Sequence, residues 1–258
     1  MRLPFKSNKR IKSTDNKISQ PRTMPETFII HVLPESLNIS IKEVGRYAGG
    51  SRYRMDADMK QLASKMIDCA KNIISPAVAY AIHPVTSIDS PKGVYLESNG
   101  YIEVPSEEQD TSMVSLTAVV CTLGAELDKE IKDLTIRKKI LEGMVLDAVG
   151  VALLESLGMK GRIHLKKEAL KRGLFAGCPF GPGYGKMPLA SQSSLFKHID
   201  AQAIGIRLNK SGVMLPLKSL SFWLRWTTNP RATEDHGYKC QRCDLSNCLY
   251  RKVPYLET

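Results

Sequence analysis

The chain has 258 residues, 43% hydrophobic and 24% charged, a globular composition large enough for one substantial core or two small ones. Its formal net charge of +11 suggests a polyanionic partner, but the distribution argues against nucleic acid. Residues 1–25 carry seven Lys/Arg against Asp15 alone, so +6 of the charge sits in one stretch with few apolar residues and no period. No segment offers the roughly 18–20 uninterrupted apolar residues of a membrane span, and no apolar secretory region follows residues 1–5. The expected setting is cytoplasmic, with the six cysteines reduced.

After the basic tail, residues 28–33 form an apolar run of strand length ending at Pro34. Ser40 and Glu43 have capping-box spacing, which predicts a short helix toward Tyr47 that stops at Gly49 and Gly50. Asp56 opens the clearest amphipathic helix. Met59, Leu62, Ala63, Met66, Ile67, Ala70, Ile73 and Ile74 recur at helical spacing, and Pro76 closes it. Cys69 borders that stripe as a core-edge residue.

Strands are expected at 93–97 and 114–122, joined by an acidic turn at 107–110, with Cys121 in buried packing. Residues 124–158 have a helical pattern in two pieces. The second, 140–157, is apolar on most faces and should be central, with Asp147 a partnered carboxylate and Gly143 and Gly150 admitting a neighbouring backbone. A basic helix at 166–172 precedes a loop at 177–185, and a further helix starts near Pro188. The stretches 204–208, 213–215 and 220–226, with a turn at 209–212, predict a meander or hairpin in which Trp223 and Trp226 pack. His31, His83, His164 and His198 form no ligand spacing.

The loop is the candidate functional centre. Four glycines and two prolines among Gly177-Cys178-Pro179-Phe180-Gly181-Pro182-Gly183-Tyr184-Gly185 give a rigid path of little bulk. Its backbone can approach a ligand closely, and Tyr184 can stack on a ring or face a cation. Taken with Pro188-Leu189, Leu195-Phe196, the run from Ile204 to Ser211, Met214-Leu215-Pro216 and Lys218-Ser219, this region resembles the activation domain of cobalamin-dependent methionine synthase, and stand-alone proteins related to it. Upstream, Cys121-Thr122-Leu123-Gly124-Ala125-Glu126-Leu127-Asp128 and Leu146-Asp147-Ala148-Val149-Gly150 also fit. The resemblance spans roughly residues 28–252.

It implies an α/β fold of the α+β type, a mixed or antiparallel central sheet flanked by helices. It also implies S-adenosylmethionine bound near Gly181, Pro182, Gly183 and Tyr184, and docking over a cobalamin held by a partner. That partner would be methionine synthase or another corrinoid-binding protein, and the activity reductive methylation of Co(II) cobalamin with electrons from a flavodoxin or ferredoxin. No triad or general base is needed, since positioning and exclusion of water are the protein's part. One position departs from the family's Arg-x-x-x-Gly-Tyr motif: Pro179 stands where the arginine would clamp a carboxylate. Arg172 and Arg207 are the candidate substitutes.

A second centre is the thiol cluster Cys240, Cys243 and Cys248, too dense for packing and spaced for one metal. Cys178 would complete a four-cysteine zinc or iron–sulfur site, and His236 a Cys₃His zinc site. The expected organisation is a basic tail (1–25), an activation-domain-like domain (26–235) and a Cys-rich extension packed on it (236–258). Two other readings stay open: an iron–sulfur reductive activator of corrinoid proteins without S-adenosylmethionine, and a zinc-stapled protein-binding adaptor.

Overall fold

The computed structural model describes residues 26–90, 92–98, 100–105, 110–184, 187–233, 245 and 247–252. The basic tail, and Cys240, Cys243 and His236 of the thiol cluster, lie outside them.

Local signals fix the first helices. Ser40 heads α1 (Ile41–Gly49) with a complete capping box: its hydroxyl accepts from the Glu43 N–H at 3.2 Å, and its own N–H donates to the Glu43 carboxylate at 2.9 Å. Asp56 caps α2 (Ala57–Ile73) by accepting from the Met59 N–H at 2.8 Å, and the apolar stripe turns Ala63, Met66 and Ala70 into the core.

Past Pro76 the structure departs from the sequence expectation. Residues 77–89 form β2 (Ala77–Asp89), the longest strand, which patterning hides because its first half is apolar on both faces and Pro84 interrupts it. β2 pairs antiparallel with β1 (Phe28–His31) along its first half, with β3 (Gly93–Leu96) along its second, and with β5 (Met113–Thr122) on its other side. A short β4 (Gly100–Glu103), also unanticipated, pairs with β3 ahead of the acidic stretch. β5 pairs with β9 (Ser219–Thr227), and β9 with β6 (Phe175–Phe180). The seven-stranded sheet runs β4-β3-β2-β5-β9-β6, with β1 also on β2.

The protein is thus α+β, with a central antiparallel sheet flanked by helices. On one face lie α1, α2, α3 (Glu126–Ile136) and α4 (Ile140–Lys171), enclosing a core that includes Leu146, Leu153, Leu157, Leu224 and Trp226. The two helical stretches expected at 140–157 and 166–172 are in fact the single 32-residue α4. Its glycines mark close approaches: a Cβ on Gly158 would meet Leu220 at 3.2 Å and one on Gly161 Val78 at 3.3 Å, both in the sheet, while one on Gly143 would meet the Ile131 carbonyl of α3 at 3.5 Å and one on Gly150 Leu127 of α3 at 2.8 Å. The other face is closed by the β3–β4 hairpin and by residues 187–206, which include the short α5 (Gln192–Leu195), around fully buried Trp223. β7 (Arg207–Leu208) and β8 (Met214–Leu215) form a separate small hairpin, while β9 returns to the centre of the main sheet. No helix among the described residues is long and apolar enough to cross a membrane.

Candidate functional site

The Gly/Pro stretch is half strand and half turn. Residues 177–180, expected as loop, belong instead to the edge strand β6, where Pro179 is opposite Leu224 and Phe180 opposite Trp223. Proline is tolerated at an edge because the missing N–H need not point into the ladder. The chain then turns toward the face closed by residues 187–206. Pro182 and Gly183 occupy the two central positions of a turn closed by the Tyr184 N–H donating to the Gly181 carbonyl at 3.0 Å, and Gly183 has φ +79°. Proline first and a positive-φ glycine second is the pairing a type II turn favours. Gly181 passes so close to β9 that a Cβ would lie 3.0 Å from Phe222 Cα.

Two more bonds tie the turn down: the Gly183 N–H donates to the Met187 carbonyl at 3.0 Å, and the Met187 N–H to the Tyr184 carbonyl at 3.1 Å. The amides of Gly183 and Tyr184 are therefore spent inside the loop. The Tyr184 side chain is presented to solvent, 57% exposed, with exposed Leu189 close by, its methyl 3.4 Å from where a Gly183 Cβ would sit. Burial of its sheltered part and, second, the Glu155 carboxylate hold the Tyr184 phenol pKa above its ordinary value.

Glu155 is a residue that sequence patterning did not flag. Projecting from the middle of α4, it accepts from Arg46 Nη2 at 3.1 Å and from Lys252 Nζ at 2.8 Å. Burial works to raise its carboxyl pKa, but the hydrogen bonds from Lys252 and Tyr47 and the charges of Lys252 and Arg46 outweigh it and hold the pKa low. Tyr47 is pushed up by burial first and by Glu155 second. Arg46 also stacks on Tyr47 at 4.1 Å and donates to the Tyr250 carbonyl at 3.0 Å. The Ser51 N–H donates to the Leu249 carbonyl at 2.7 Å, and the rings of Tyr47 and Tyr250 are 5.9 Å apart. The C-terminal residues around half-buried Cys248 are thus clamped on α1 and α4, on the same carboxylate that acts on Tyr184.

The candidate arginines are elsewhere. Arg172 caps the C-terminus of α4, its guanidinium 5.5 Å from the Trp226 ring, at the far end of β6 from the turn. Arg207 is on the exposed β7 hairpin. The arginine beside β6 is instead Arg225 of β9, 8% exposed, whose side chain fills the space that Gly177 leaves: a Cβ there would be 2.6 Å from its Nε. Burial lowers the Arg225 pKa, while Cys178 and Asp110 act to raise it. Burial also tends to raise Asp110, but hydrogen bonds from Ser112 (2.5 Å) and Thr227 (2.6 Å) and the Arg225 charge keep its carboxyl low. In sequence only the bare Gly177 hinted at this neighbour.

Cys178 is half-buried on β6 and Cys248 lies in the clamped C-terminal segment. Among the described residues no group of three or more His, Cys, Asp or Glu is arranged to hold a metal. Asp147 is partnered as expected, accepting from Lys218 Nζ at 2.6 Å. Cys69 packs at the core edge, and Cys121, Trp223 and Trp226 are buried.

No family model matches the sequence, and no curated protein does. The fold, however, is that of a known class of domain. A crystal structure of the MetH reactivation domain bound to AdoHcy is similar over 88% of this chain and 85% of that one, with a TM-score of 0.58 and 14% identity. At that identity the likeness concerns the architecture.

Proposed function

We propose that the chain is a reactivation protein for a corrinoid methyltransferase of the methionine synthase type, and that it binds S-adenosylmethionine beside Gly181, Pro182, Gly183 and Tyr184. The observation that carries this reading is the tied turn at the end of β6, which holds one aromatic face out to solvent on a reactivation-domain architecture. The residues suit such a ligand in part. Tyr184 offers a π-face to an adenine ring or a sulfonium cation, and Glu155 supplies negative potential toward that face. With Pro179 in the motif's arginine position, the carboxylate end would fall to the cations gathered on Glu155, Arg46 and Lys252.

In this reading S-adenosylmethionine supplies the methyl group and a flavodoxin- or ferredoxin-type donor the electron, to cobalamin carried by the partner. This chain positions the donor and keeps water away. Cys240, Cys243 and Cys248, with Cys178 or His236, would bind zinc or an iron–sulfur cluster. Brown anaerobic protein with absorbance near ~400 nm would assign the cluster, and colourless protein with one zinc per chain the staple.

Calorimetry with S-adenosylmethionine and with S-adenosylhomocysteine tests the main proposal. Both should bind wild-type protein, and Tyr184→Ala should weaken them at least about tenfold, since stacking on an aromatic is worth about 1–3 kcal/mol per base. No heat with either ligand, or equal binding by Tyr184→Ala, refutes the assignment.

A further inference from the structure

The opposite edge of the sheet carries a second surface with its own chemistry. β1 is joined to β2 through Phe28, Ile30 and Val32: Val32 donates to the Pro76 carbonyl at 3.0 Å, and the register places Ile30 opposite Val78 and Phe28 opposite Tyr80. In an antiparallel ladder the alternate residues then direct their N–H and C=O groups outward. Those residues are Ile29 and His31, and among the described residues no strand pairs with that edge. Ile29 is 41% exposed and Leu33 73% exposed.

Above this edge, α4 and the sheet form an open groove of about 270 Å³. Its floor is apolar, formed by Ile30, Val32 and Val78, and the helix side of its rim is cationic or titratable, with Lys160, His164 and Lys167. Lys160, His164, Lys167 and Lys171 succeed one another at intervals of four, three and four residues, which is one face of a helix. Glu168 on the same helix is already bonded by Lys171 at 2.6 Å, and the Tyr80 ring lies 5.9 Å from that of His164. An open strand edge, an apolar floor and a cationic rim select a glutamate-bearing strand. Its backbone would pair with Ile29 and His31, its glutamate methylenes would cover the floor, and its carboxylates would reach the lysines. The chain's own residues 1–25 have the wrong sign for this rim, with seven Lys/Arg against one acid.

We propose that the outer edge of β1, under Lys160 and Lys167, is a docking strand for an extended acidic segment of a protein partner. The proposal is independent of the methyl-donor reading, because it concerns the other edge of the sheet. The probe is an eight-residue fluorescein-labelled peptide alternating Glu and Val, titrated at low salt against the full chain, with a Lys/Val peptide and free glutarate as comparisons. The Glu/Val peptide should bind at least about tenfold tighter than the Lys/Val peptide. The double variant Lys160→Glu/Lys167→Glu should weaken it at least about tenfold, since exposed pairs are individually modest but add when reversed.

Hydrogen exchange on the wild-type protein reads the pairing directly, without dependence on any variant's folding: saturating peptide should protect the amides of Ile29 and His31. Ile29→Pro, which removes one outward N–H and leaves the β2 ladder intact, should abolish binding. Equal binding of both peptides, binding that leaves those two amides unprotected, or glutarate displacing the peptide at equal concentration would each overturn the proposal.

Discussion

Replacing Glu155 by Ala tests whether one carboxylate holds the C-terminal segment to the body of the protein. Glu155 joins Arg46, 109 residues earlier, to Lys252, 97 residues later. The Arg46 side chain is only 11% exposed, so without Glu155 a guanidinium is left partly desolvated beside Tyr47. Losing the partner of a buried charged group costs about 1–3 kcal/mol. Because Glu155 and Lys252 are about one-third exposed (33% and 36%), water replaces part of what is lost, and about 1–2 kcal/mol is expected.

The pH dependence has a definite sign. The Glu155 pKa is held below its unfolded value, so its contribution is complete above the ordinary glutamate pKa of about 4.3 and disappears as pH falls through the folded value. Urea unfolding at pH 7 should therefore separate wild type from Glu155→Ala, and the gap should narrow below about pH 4. At pH 7 the same variant should speed amide exchange in residues 247–252 and bring the Tyr47 phenol down toward its ordinary pKa. A gap below about 0.5 kcal/mol, the range of an ordinary surface substitution, would refute the reasoning. So would a gap that stays constant with pH, or unchanged exchange at the C-terminal segment.

Other substitutions separate packing from conformation. Gly93→Ala should destabilise by more than about 2 kcal/mol in chemical denaturation, because its Cβ would lie 2.2 Å from the Ile102 carbonyl oxygen, which is ladder backbone and cannot move aside. Gly173→Ala meets no atom within 4 Å and suffers only its positive φ of +70°, so about 1 kcal/mol is expected. Asp147→Ala strips the partner from Lys218, whose side chain is 9% exposed, and should cost about 1–2 kcal/mol by thermal or urea unfolding. His83 is 1% exposed, its Nε2 2.8 Å from the His198 carbonyl, and burial lowers its pKa despite that bond. Its neutral form is the folded one, so stability should fall as pH drops below about 6.5, and His83→Gln should flatten that slope in denaturation curves at pH 8 and pH 5.

The sequence by itself determined whatever depends on neighbours along the chain. Ser40 with Glu43 and Asp56 with Met59 fixed helix starts because a cap bonds an amide three residues away. The repeat of Met59, Met66 and Ala70 fixed which side of α2 is buried. Pro182-Gly183 marked the turn, since proline presets the first central φ and glycine accepts the positive φ of the second. The α+β class followed from the resemblance that the residues around Gly183 carry.

Tertiary structure decided the rest. β2 is covered on both faces of its first half, so no alternation marks it, and the bareness of Gly158 and Gly161 is explained only by the sheet beneath α4. It also decided that the turn's amides bond within the loop, that Arg225 occupies the room at Gly177, and that Arg46 and Lys252 converge on Glu155. Dihedral preference and periodicity act over a few residues. Strand pairing and charge clusters join residues about a hundred apart, and only closure of the core brings those together.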